Sequence, residues 1–115
     1  MYENNSIVIY LSEDGKVHLD VVYNEETMWL TQQQLCDLYQ TSKSNVSEHI
    51  KYIFEDEELS REATVRKFRT VQIEGTRKVE SEVDHYNLDM ILSLGYRVRS
   101  VTATRFRQWA TDRFP

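Results

Sequence analysis

Apolar and polar positions alternate with two different periods along this chain, and the switches between them divide it into elements. Ser6-Ile7-Val8-Ile9-Tyr10-Leu11 is rich in β-branched and aromatic types, and Val17-His18-Leu19-Asp20-Val21-Val22-Tyr23 alternates apolar and polar residues. Together they predict a β-hairpin over 6–23, with Asp14-Gly15 supplying the positive φ that tight turns need. Asn24-Glu25-Glu26-Thr27 reads as a loop that closes this N-terminal unit. Thr31 with Gln34 three residues on forms a capping box and opens a helix over 32–39. A second helix spans 43–54, capped by Thr41 or Ser42. The acidic run 55–58 and a short connection through Leu59 to Ala63 follow. Residues 64–73 and 77–86 read as two more strands, with Gly75 in the turn. Asn87 caps a helix over 88–94, with Gly95 as its C′ residue. A last helix starts near Thr102, and its apolar stripe is Phe106, Trp109, Ala110 and Phe114. That stripe runs to Pro115, which predicts that these residues form the N-terminal part of a longer protein.

The two helices at 31–54 have the pattern of a helix-turn-helix, in which two short helices meet at a fixed angle and the second is free to enter a DNA groove. Leu35, Leu38 and Tyr39 share one face of the first helix, Cys36 provides a small residue where the helices approach, and Val46, Ile50 and Ile53 form the buried face of the second. Gln40 stands where the turn usually prefers glycine. The outward face of the second helix is then Lys43, Ser44, Ser47, Glu48 and Lys51, with Asn45 near its N-terminal end. Lysine reaches phosphate or guanine, serine contacts base or phosphate, glutamate accepts from cytosine, and asparagine pairs with adenine when it faces the groove. Gln32 and Gln33 of the first helix are placed to meet the backbone. The following hairpin carries Arg66, Lys67, Arg69, Arg77 and Lys78, which in a winged arrangement would lie on phosphates. Glu74, Glu80, Glu82 and Asp84 are interleaved with them, as in a solvated sheet face.

The predicted architecture is therefore α+β: one domain over 1–115, with a winged helix-turn-helix-like core at 31–54 and 64–86. An N-terminal β-hairpin within 1–26 precedes this core and two C-terminal helices over 88–113 close it. A chain of 115 residues, 40 % apolar and 29 % charged, suits one soluble domain with a modest core.

Net charge at first argues against nucleic acid, because it is −5 overall. Its distribution changes that picture. Residues 1–62 carry thirteen acids and four bases, whereas residues 63–115 carry six acids and ten bases. A phosphate backbone responds to local basic surface rather than to the total, so a phosphate-binding surface is expected in the second half. Arg97, Arg99, Arg105 and Arg107 form a further cluster there, placed to extend such a surface or to pair with the acidic first half. The single cysteine, Cys36, allows no intrachain disulfide, and no apolar run approaches membrane-spanning length. Cytoplasmic localisation without membrane association follows as the expectation.

Candidate chemistry is sparse. His18, His49 and His85 lack metal-ligand spacing, there is no Cys-x-x-Cys, no glycine-rich phosphate loop, and no serine or cysteine in a nucleophile setting. The sequence predicts neither enzyme activity nor a cofactor.

Four segments carry a family resemblance: Met28-Trp29-Leu30-Thr31-Gln32-Gln33-Gln34-Leu35, then 44–55, then Tyr86-Asn87-Leu88-Asp89 through Val98, and Arg105-Phe106-Arg107-Gln108-Trp109-Ala110-Thr111. In this order they resemble the N-terminal region of the RhuM family of virulence-associated bacterial proteins. The resemblance implies a DNA-binding role and supplies no catalytic residues. The last two segments are also loosely similar to the N-terminal domains of phage antirepressor-type proteins. The leading expectation is a transcriptional regulator on double-stranded DNA, with a homodimer or a further C-terminal region adding to the limited contact area of one half-site. The alternative is a protein-interaction module on the same fold, which the acidic first half favours.

Overall fold

The computed structural model describes residues 6–99 and 101–113. The chain runs β1 (Ser6–Leu11), β2 (His18–Asn24), β3 (Thr27–Thr31), α1 (Gln32–Tyr39), α2 (Lys43–Glu55), α3 (Arg61–Thr64), β4 (Val65–Glu74), β5 (Arg77–Asn87), α4 (Leu88–Val98) and α5 (Val101–Arg113). The architecture is α+β. Its five strands form one antiparallel sheet in the order β1-β2-β3-β5-β4, more strand than two separate hairpins would give.

Residues 27–31, partly read from sequence as loop, form the strand that unifies the sheet. β3 pairs with β2 through Val22–Trp29 and with β5 through Leu30–Tyr86. The turn between β2 and β3 is Glu25-Glu26, and both residues take positive φ (55° and 61°). That is the geometry of a two-residue hairpin turn normally occupied by Asn-Gly or a similar pair. The Trp29 indole N–H donates to the Asn24 carbonyl at 3.0 Å and clasps the turn.

β3 enters α1 without a linker because Thr31 is both the last strand residue and the helix N-cap. The Gln34 N–H donates to Thr31 Oγ1 (3.1 Å) and the Thr31 N–H donates to Gln34 Oε1 (2.9 Å), which completes the predicted capping box. Such a cap contributes about 1 kcal/mol. Gln34 Nε2 also donates to the Asp20 carbonyl at 2.8 Å, fixing α1 to β2. Three residues separate α1 from α2. Gln40 takes the left-handed conformation (φ 50°, ψ 54°), and Ser42 caps α2 by accepting from the Asn45 N–H.

The main core lies between the helices and one face of the sheet. Leu19, Val21, Met28, Leu30 and Tyr86 meet Leu35, Leu38 and Tyr39 of α1, Val46, Ile50 and Ile53 of α2, Met90, Ile91 and Leu94 of α4, and Phe106 of α5. The apolar faces predicted for α1 and α2 are thus the buried ones. A smaller cluster of Val22, Trp29 and Phe68 covers the opposite sheet face, with the His85 ring against Phe68 at 5.1 Å.

Two sequence expectations are corrected in the second half. Gly95 is not the C′ residue of a helix ending at 94. It is buried inside α4, which runs to Val98 and ends on Arg99 in the left-handed conformation. Residues 61–63, read as connection, and Thr64, read as the start of a strand, form the short helix α3. In α5, Phe106 and Ala110 are buried and Trp109 is half-buried, with Tyr10 packed edge-on against Phe106 (5.0 Å) and Trp109 (5.1 Å). Phe114 lies outside the described residues.

Candidate nucleic-acid interface

α1 and α2 bring together most of the residues expected to face a ligand. Once Val46, Ile50 and Ile53 are buried, helical periodicity leaves Lys43, Ser44, Ser47, Glu48 and Lys51 exposed, and these five line one shallow depression. The N-terminal half of α2 presents Lys43 and two serines. Its C-terminal end turns acidic, and Lys51 Nζ lies 3.8 Å from Glu55 one turn on. The Tyr52 hydroxyl donates to Glu48 Oε1 at 3.2 Å, which raises the phenol pKa and steadies the carboxylate on the surface.

Asn45 does not join this face. It is half-buried, and its Nδ2 donates to Thr41 Oγ1 at 2.8 Å, so its amide secures the α1–α2 turn. Gln33 is exposed on α1 and donates to Asp37 Oδ1 at 3.1 Å. Gln32 crosses between the helices: its Nε2 donates to the Ser47 hydroxyl oxygen and contacts the Lys43 carbonyl at 3.4 Å. Sequence periodicity placed Gln32 near the site but held no signal for this bridge, which depends on how the two helices cross.

The β4–β5 hairpin disperses the bases that the sequence grouped. Residues adjacent along a strand point to opposite faces of the sheet, so Arg66 and Lys67 diverge. Arg66 pairs with Glu25, donates to Asn24 Oδ1 at 2.9 Å and lies over the Phe68 ring at 5.2 Å. Its guanidinium holds the β2–β3 turn against β4. Lys67 Nζ is 3.3 Å from Asp84, which Arg61 also approaches at 3.2 Å. Lys78 Nζ is 3.7 Å from Glu80. Arg69 and Arg77 stand opposite Glu82 and Glu74 in the strand register and form no ion pair among the described residues. A polar groove runs between the N-terminal ends of α1 and α2 and this hairpin, lined by Gln32, Gln33, Lys43, Lys67, Gln72 and Asp84 among others.

The arginine cluster of the second half also divides. Arg97 is three-quarters covered and pairs with Asp56 (3.5 Å) and Glu58 (3.1 Å), neutralising part of the acidic segment after α2. Arg99, Arg105 and Arg107 remain exposed. Cys36 is buried between the helices, and burial pushes its thiol pKa up, so it acts as a packing residue. No described helix is long and apolar enough to cross a membrane.

By its fold the chain is an α+β protein whose polar helix face and basic hairpin flank one groove. The model of the Virulence protein RhuM family matches residues 63–115, so this part of the chain is similar to that family. The matched region holds β4, β5, α4 and α5 and includes the resembling segments at 86–98 and 105–111. The family signal therefore sits in the C-terminal part of this chain. The segments at 28–35 and 44–55 fall outside the match, so the resemblance expected for four segments is supported for the last two. No curated protein and no solved structure matches the chain.

Proposed function

We propose that the chain is a winged helix-turn-helix module that binds double-stranded DNA as a transcriptional regulator, with α2 in the major groove and the β4–β5 hairpin as the wing. The observation that carries this reading is the order β3–α1–α2–α3–β4–β5 with β3 hydrogen-bonded to β5. That pairing sets the hairpin beside the α1–α2 unit and leaves the polar face of α2 outward, where no described element covers it.

The three-residue turn through Gln40 and the bridge from Gln32 hold α2 at a fixed angle to α1. Lys43, Ser44 and Ser47 lie at the N-terminal end of α2, the part of a recognition helix that reaches base edges. Phosphate affinity falls to Lys43, Arg69 and Arg77, and to Lys51 once its exposed pair with Glu55 opens, because Arg66, Lys67 and Arg97 are engaged within the chain. Each neutralised phosphate strengthens binding through counterion release. One such helix covers a single half-site, so the proposal includes two copies on half-sites about 34 Å apart.

The test is selection of bound duplexes from a random pool by the chain, followed by gel-shift titration at physiological salt. A common motif bound more tightly than unrelated duplex is the expected result. Recovery of no motif, together with equal affinity for all duplexes, would remove sequence recognition by α2. A protein-interaction role would then be the better reading of this face.

A further inference from the structure

A serine hydroxyl is ambiguous as a reader of bases, because it carries one donor and two acceptor sites and rotates to suit its partner. Ser47 has less of that freedom. Its oxygen accepts from Gln32 Nε2, and the same amide nitrogen faces the Lys43 carbonyl at 3.4 Å. A carbonyl is an acceptor only, so its presence settles which end of the Gln32 amide points inward. With that amide on one lone pair and no inward acceptor among the described residues, the Ser47 O–H proton and its second lone pair are both left to the exposed face of α2.

We infer that Gln32 is a positioning residue that keeps the Ser47 proton available for outward donation, so that Ser47 and Lys43 together read a guanine. This rests on the reading of α2 as a recognition helix. Lys43 lies one turn before Ser47 and adds a second, charged donor on the same face. Two donors side by side match the N7 and O6 acceptors of guanine, whereas adenine at the same place presents its N6 donor to them. Glu48, the next residue, is an acceptor held by Tyr52 and matches the N4 donor of the paired cytosine.

The experiment compares the wild-type chain with Gln32→Glu, Ser47→Ala and, as a charge control, Gln40→Glu at the exposed turn. Each is put through selection from a random duplex pool and then a competition titration between guanine and adenine at the selected position. Gln32→Glu offers only acceptors, so the Ser47 proton turns inward and only lone pairs are left to face the groove. The wild-type chain and Gln40→Glu are expected to prefer guanine by about tenfold or more, a preference that Gln32→Glu and Ser47→Ala lose. A purely structural role for Gln32 would change affinity for both bases alike. If Gln32→Glu keeps the wild-type preference at every position, this inference is overturned while the reading of α2 stands. If the wild-type chain enriches no motif, both fall.

Discussion

The Tyr39 hydroxyl stands beside Gly95, in the space a side chain at position 95 would need. A Cβ at that position would lie 2.9 Å from the Tyr39 oxygen and 2.6 Å from Ala103 Cβ. The same hydroxyl donates to the Ile91 carbonyl, so one buried phenol joins α1 to α4 at the point where α5 crosses. Burial raises its pKa well above the ordinary tyrosine value.

Gly95→Ala is therefore expected to destabilise the chain although alanine is the better helix former. Overpacking costs about 1–3 kcal/mol, and the gain in helix propensity returns about 1 kcal/mol. A lower urea midpoint at unchanged slope is the expected result. A midpoint equal to or above wild type would show that α5 moves aside freely.

His85 makes stability depend on pH. It is fully buried against Phe68, its Nδ1 is 2.8 Å from the Val83 carbonyl, and desolvation lowers its pKa below the ordinary 6.5. The unfolded chain thus takes up a proton at a higher pH than the folded one. Its contribution is complete above pH 6.5 and is lost as pH falls through the folded value. Thermal midpoints followed from pH 7 to pH 5 should fall less steeply in His85→Gln than in wild type. Parallel curves would assign the dependence to other groups.

The hairpin bases separate by role. Arg66→Ala should lower stability by up to about 1 kcal/mol, because it removes an ion pair and a cation–π contact at the surface, and should leave the salt dependence of DNA binding unchanged. Arg69→Ala and Arg77→Ala should each reduce the slope of log K against log salt by about 1. Duplex titrations at several salt concentrations give both readings. A reduced slope for Arg66→Ala would mean that its pairing with Glu25 opens on the duplex.

Local signals made α1 and α2 legible. Thr31 with Gln34 marked one helix start, the Thr41-Ser42 pair the next, and the apolar spacing at 35–39 and 46–53 gave both buried faces. β3 was hidden for two physical reasons. Its Glu25-Glu26 turn lacks the residues that usually adopt positive φ, and Met28-Trp29-Leu30 shows no alternation because both sheet faces are covered there. Gly95 misled because close helix packing selects glycine as strongly as a C-cap does. The candidate site was legible as a list of exposed residues on α2. The partners of Asn45, Arg66 and Lys67 lie four to 42 residues away in sequence and were not.

Groove binding by α2 is tested most directly by the salt dependence of duplex affinity in the wild-type chain and in Lys43→Ala combined with Lys51→Ala. The double variant is expected to bind every duplex more weakly, with a slope reduced by about one per lost phosphate contact. Affinity and slope equal to wild type at all salt concentrations would contradict groove binding by α2.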